Sequence, residues 1–213
     1  MRRITLPLGL ALALVASAAS AAVVAQDAEG RYQTLLAAAK AHAPNADWTA
    51  LRLAYADRPG FKAFTHRAAR REMLQAANAG NCAQALQSAK AVIEDTYVDA
   101  DAHMIAAYCE DAVGKPIAAK LDRDIGAGLL NSIETGDGFS PATAFAVIDV
   151  DEEYAVTRAL GLRVASQTLI QQGGHAYDVL EAADDKGQHV TYYFLVDRVL
   201  AAGTAAPTVR RAH

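Results

Sequence analysis

The chain has 213 residues, with 20 Lys and Arg against 24 Asp and Glu, for a formal net charge of −4. An acidic balance argues against nucleic acid as a partner, because such binding draws on clustered basic side chains that neutralise phosphates. Only Arg67, Arg70 and Arg71 cluster, and they read as a solvated helix face. The length suits one domain or two small layers, with a core large enough to need no extra staple.

The amino end carries the clearest local signal. Arg2 and Arg3 precede an apolar run from Leu6 to Val15, and small residues from Ala16 to Ala22 lead to Val23-Val24-Ala25. A charged start, a short apolar centre and a small-residue exit make a cleavable secretory signal, residues 1–25, cut after Ala25 or alternatively after Ala21 or Ala22. The run from Ile4 to Ala25 is also just long enough to span a bilayer, so an uncleaved anchor is the competing reading. No cysteine lies near the cut for lipid attachment, and no later segment approaches membrane length. The expectation is a periplasmic or secreted protein with no membrane contact once the signal is gone.

Tyr32, Leu35, Leu36 and Ala39 recur at helical spacing, as do Trp48, Leu51 and Tyr55 after the break at Pro44-Asn45, so two short helices should follow the signal. Arg58-Pro59-Gly60 is a stop, and residues 61–79 read as a third helix. Two segments then repeat. Gly80-Asn81-Cys82-Ala83-Gln84-Ala85 and Gly114-Lys115-Pro116-Ile117-Ala118-Ala119 both set Gly five residues before Ala, 34 residues apart. That is the period of tetratricopeptide repeats, in which small residues let paired helices approach. Helices over 82–96, 99–113 and 116–133 should form a short array of hairpins; the match is partial, with His103 at the usual Trp position and Ala107 at the small-residue position, but Glu110 where the pattern has Tyr, and residues 61–79 fit it poorly.

After Gly136-Asp137-Gly138 the pattern changes. Ala144 to Val150 reads as a buried strand, Asp151-Glu152-Glu153 as the acidic amino end of a helix stopped by Gly161. Extended runs over 162–171, 176–182 and 189–196, separated by Gly173-Gly174 and Asp184-Asp185-Lys186-Gly187, predict an antiparallel meander with Val190, Tyr192, Phe194 and Val196 on one buried face. Residues 201–213 show no periodicity and read as a flexible tail. The fold class is α+β: an N-terminal helical layer with tetratricopeptide-like hairpins (26–135), then a helix and a small antiparallel β-meander (136–200), as a single domain.

Ser132-Ile133, Gly136-Asp137-Gly138, Pro141, Glu152-Glu153-Tyr154, Leu160-Gly161, Gln167, Tyr177-Asp178-Val179 and Tyr193-Phe194 occur in this order. In these blocks the chain resembles the bacterial domain-of-unknown-function family numbered 4919, over nearly all of the mature sequence. The resemblance implies an exported bacterial protein and carries over no catalytic residue and no cofactor.

Cys82 and Cys109 are the only cysteines. An even count in an exported chain favours a disulfide, and both fall towards the same end of antiparallel helices, although offset by about one turn. Two buried free thiols, or a reactive or metal-bound thiol, are the alternatives. His103, Asp137, Glu152, Glu153, His175 and Asp178, with His189, are residue types that serve as metal ligands or as an acid and base pair when a fold gathers them. Their spacing matches no HExxH helix, no i, i+4 histidine pair and no calcium loop at Asp149 and Asp151, so no metal or cofactor is expected. Ser140 lacks the GxSxG elbow, and no SxxK pair or Walker loop is present. On the structural side, Asp137 shapes a turn, Glu152 and Glu153 complement a helix end, Gln167 holds strands together, and His103 is a satisfied core histidine. The reading is a non-enzymatic binding or interaction protein whose partner is an unidentified protein or small molecule. The alternative is a hydrolase or metal-dependent enzyme built on Asp137, Glu152, Glu153 and Asp178.

Overall fold

The computed structural model describes residues 11–41, 43–61 and 67–202. Helix α1 (Ala11–Ala41) runs unbroken from the apolar amino segment into the body, where two separate features were expected. Its Tyr32 and Ala39 are buried against α2 (Trp48–Ala56), whose start is capped by Asp47 accepting the Ala50 N–H at 2.9 Å. Among the described residues no helix is long and apolar enough to cross a membrane.

Four helices follow: α3 (Arg67–Asn78), α4 (Cys82–Asp95), α5 (Ala100–Ala112) and α6 (Pro116–Ile133). They match the expected spans, except that α3 begins at Arg67 and residues 62–66 of the expected helix lie outside the described residues. The 34-residue echo has a physical basis. Gly80 and Gly114 both take φ near +70°, at 70° and 75°, a conformation that costs a residue with a Cβ. Each lets the next N–H reach back five residues, Asn81 to the Ala76 carbonyl at 2.9 Å and Lys115 to the Glu110 carbonyl at 2.8 Å, closing the helix end. Ala85 and Ala119, five residues on, are both fully buried, so each hairpin closes on a methyl group.

Cys82 and Cys109 are bonded, with Cα atoms 5.0 Å apart, so α4 and α5 meet without the expected offset. Closing a loop of about 28 residues stabilises the fold by roughly 3–4 kcal/mol in the chain-entropy account. Met73, Ala89, Val92, Ala102 and Ala106 fill the space between α3, α4 and α5.

The second half is a four-stranded mixed sheet in the order β1-β4-β3-β2. Strands β2 (Arg163–Gln172), β3 (His175–Ala183) and β4 (His189–Leu195) form the expected meander. The apolar run after Ala144 yields only β1 (Phe145–Ala146), paired parallel to β4, and its last residue opens α7 (Val150–Ala159) instead. Asp149 explains the early switch: its carboxylate accepts the Asp151 N–H at 2.9 Å and caps a helix there. Of the expected β4 face, Phe194 and Val196 are buried while Val190 and Tyr192 are half-buried towards the sheet rim. Ala201 belongs to a last short helix, α8 (Asp197–Ala201), and residues 203–213 of the expected tail lie outside the described residues.

One core joins the halves. Tyr32, Leu51, Ile125, Leu129, Ile133, Phe145, Val156, Leu180 and Phe194 belong to a single buried cluster that runs from α1 and α2 through α6 to the sheet.

Candidate functional site

The first turn of α7 points two consecutive acids in different directions, because adjacent helix positions diverge by about 100°. Glu152 turns towards α2 and α6. Its carboxylate meets Arg52 through Nε and Nη2, both at 2.8 Å, and also accepts the Ile148 N–H at 2.9 Å. Arg52 gives its other hydrogens to the Ser132 carbonyl at 2.7 Å, Ser132 Oγ at 3.1 Å and the Ala146 carbonyl at 2.9 Å. A buried guanidinium so fully used is a structural clasp between the helical layer and the sheet.

Glu153 turns to the sheet and is fully buried, as is Asp178 on β3. The Gln167 side-chain amide on β2 bridges them, donating to Glu153 Oε2 at 3.1 Å and to Asp178 Oδ2 at 2.6 Å. Its oxygen accepts the Tyr154 hydroxyl at 2.7 Å. Burial, then the adjacent Asp178 carboxylate, holds the Glu153 carboxyl far above the usual carboxylate range. Burial also raises Asp178, opposed by the bond from Gln167. Among the described residues Glu153 Oε1 and Asp178 Oδ1 have no hydrogen-bond partner, and burial beside a second carboxylate favours the protonated form of Glu153. Asp151, Glu152 and Glu153 all lie in the first turn of α7, as the sequence places them, with Asp149 as the cap. Two neighbouring carboxyl groups are a general acid–base arrangement, but this pair is sealed beneath α7, with only the half-buried Gln167 and Tyr154 at its rim.

The other candidates lie elsewhere. Asp137 is exposed in its turn, accepting the Phe139 N–H at 3.0 Å and the Thr143 hydroxyl at 2.5 Å, and the Thr143 bond chiefly lowers its pKa. His103 is buried in α5 with Nδ1 2.6 Å from Asp122 Oδ1 and Nε2 3.0 Å from the Tyr97 carbonyl. Glu110, beside Asp122, is raised by burial first and approaches Lys90 Nζ at 3.2 Å. His175 Nδ1 lies 2.6 Å from Asp197 Oδ2, while Asp197 Oδ1 accepts the Ala176 N–H at 2.8 Å. That pair borders an open cleft of about 360 Å³ lined also by Gln171, Gln172 and the Gly173-Gly174 turn, which offers no nucleophile. Asp137, Glu152, Glu153 and Asp178 thus do not converge on one cleft. Among the described residues no group of three or more His, Cys, Asp or Glu is placed to hold a metal ion.

Arg70 departs from its expected solvated position. It is buried, ion-paired to Asp99, to Asp101 at 2.9 Å and to Asp151 at 2.9 Å, and Arg158 joins the same group through Asp101. Asp99 is raised by burial, against the pull of Arg70. The sequence held one local hint, Asp99 as the cap three residues before Ala102, whose N–H it accepts at 2.9 Å. Pairings such as Arg52 with Glu152, 100 residues apart, leave no trace in spacing.

A family model described as a domain of unknown function (DUF4919) matches residues 20–204. Comparison with curated proteins and with solved structures returned no match.

Proposed function

The chain belongs to the DUF4919 family, whose description assigns no chemistry, and from that premise we propose an exported, non-enzymatic protein that binds a protein partner through its α5–α6 hairpin. The observation that carries the reading is apolar exposure. Met104 and Tyr108 stand one turn apart on α5, Ile117 and Leu121 one turn apart on α6, and Val113 lies at the bend between them; all are exposed, Tyr108 at 64% and Ile117 at 88%. Met104 lies across Gly126, so the α5 stripe reaches α6. Grouped apolar side chains on a surface helix pair mark interaction faces, whereas scattered single ones do not. The buried acids support the same reading, since Glu152 spends its hydrogen bonds inside the fold and Glu153 and Asp178 are closed off from the surface.

Export is supported by the chain's own packing. Tyr32 is the first buried residue among the described side chains, and Val24 is 69% exposed, so a cut after Ala25 leaves the described core whole. It would leave Asp27 and Glu29 in the first turn of the shortened helix, where negative charge is favourable. The Cys82–Cys109 bond suits an oxidising compartment.

A photoreactive amino acid at position 117, in cells of the source bacterium, tests the binding face. A discrete adduct is expected there, absent with the probe at exposed Gln188 and lost when Tyr108→Asp is added. An adduct pattern identical at both positions, or unchanged by Tyr108→Asp, rejects this face.

A further inference from the structure

A second surface, separate from the α5–α6 hairpin, lies at the open edge of the sheet. Strand β2 is terminal in the strand order, and among the described residues no backbone bond reaches it from the side opposite β3. Sheet edges are ordinarily blunted by charge, proline, bulges or shortness. β2 is ten residues long and holds neither charge nor proline from Val164 to Gln172. Its one blunting device is a register shift between Val164 and Ser166, near its start. Ser166 to Gln172 is left unguarded.

The direction of the free backbone groups follows from the hairpin. Gly173-Gly174 is a two-residue turn with both φ values positive, which makes Gln172 and His175 a hydrogen-bonded closing pair. Antiparallel pairs alternate, so Leu169 opposite Asp178, Gln167 opposite Leu180 and Gln171 opposite Ala176 are non-bonded pairs. Gln167, Leu169 and Gln171 therefore aim their N–H and C=O groups away from β3, at the open edge.

We propose that the protein forms a twofold dimer by antiparallel pairing of β2 with β2 of a second copy, centred on Leu169. This centre sets Leu169 against Leu169 and Gln167 against Gln171 in both directions, so every outward residue meets another outward residue. Moving the centre by one residue either way sends one pair into the bulge or into the turn. It also covers the 44% exposed Leu169 side chain with its own copy. The charge pattern favours a second copy as occupant: a chain of net charge −4 meets itself here along a neutral strand, with no like charges opposed. Assembly closes at two, because the other sheet edge, β1, has only two residues. Seven paired residues cover less than a standard interface of about 1,600 Å², so the association is reversible and concentration-dependent.

Sedimentation of the purified oxidised protein from micromolar to submillimolar concentration tests the association. A monomer–dimer equilibrium is expected, with its dissociation constant raised about tenfold or more by Leu169→Lys while the circular dichroism spectrum is unchanged. Cysteine crosslinking tests the register. Leu169→Cys should form a covalent dimer under mild oxidation, since facing Cα atoms of such a pair are about 5.5 Å apart. Thr168→Cys, which faces Ile170 of the second copy, should not, and a mixture of Gln167→Cys with Gln171→Cys should give the mixed dimer. A monomer at every concentration, a dimer untouched by Leu169→Lys, or equal crosslinking at 168 and 169 overturns the proposal.

Discussion

Glu153 shows how much of a residue's role is set by a neighbour that the sequence does not bring near. Its place in the α7 first turn was legible from Asp151-Glu152-Glu153, yet its protonation depends on Asp178 and on burial beneath α7. The consequence is a dependence of stability on pH. In the unfolded chain a Glu releases its proton near pH 4.3, whereas the folded Glu153 keeps it to much higher pH, so folding takes up a proton between those limits. The contribution is fully present below the ordinary carboxylate range and is lost as pH rises through the folded value, by about 1.4 kcal/mol per unit. Glu153→Gln keeps the side-chain shape without a titrating proton. Urea unfolding from pH 5 to pH 9 should therefore show the wild type losing stability relative to Glu153→Gln as pH rises, with the variant the more stable at the alkaline end. Parallel curves would show that Glu153 does not hold its proton above the ordinary carboxylate range. Glu110 and Asp99, raised by burial as well, titrate in both proteins and cancel in the comparison.

At the level of elements, helices α4 to α6 and the three long strands were legible because each is bracketed by its own punctuation: Asn81 and Gly80, Asp99, Pro116 and Gly114, and the glycine turns of the hairpins. The failures occurred where tertiary contact overrides a local pattern. The apolar run from Ala144 satisfied strand periodicity, but Asp149 caps a helix inside it, and Arg70 sat in a cationic triplet whose partners are on α5 and α7. Gly128 on α6 is a similar case. Helix propensity alone says that Ala there should stabilise by about 1 kcal/mol. The Trp48 indole of α2 occupies the space that an Ala methyl would enter, and it is held in the core between α1 and α6. Overpacking of this kind costs about 1–3 kcal/mol, so the packing term should prevail. Gly128→Ala is expected to lower the unfolding free energy and shift Trp48 fluorescence, the only tryptophan signal in the chain. A gain in stability would mean that the α2–α6 contact gives way easily.

Across the whole molecule, the amino segment and the body stand in an asymmetric relation. α1 is one helix through the expected cleavage point, yet among its described side chains the buried ones begin at Tyr32, and the Arg58 guanidinium seals that end by stacking on the Tyr32 ring at 4.5 Å and binding Glu29 at 2.8 Å. Every one of those contacts lies beyond Ala25. The core seen among the described side chains lies wholly after Ala25, so removing residues 1–25 leaves that apolar burial in place. Two measurements follow. Amino-terminal sequencing of the protein from the periplasmic fraction should begin at Gln26, and a protein beginning at Gln26, refolded with its disulfide, should melt within a degree or two of the exported material. If the cut instead falls after Tyr32, the Arg58 stacking is lost and the melting temperature should drop by about 2–4 °C for each kcal/mol removed in a domain of this size. Recovery of the whole chain with Met1 intact in the membrane fraction would replace cleavage by anchoring, and would leave the α5–α6 face and the β2 edge to act beside a bilayer.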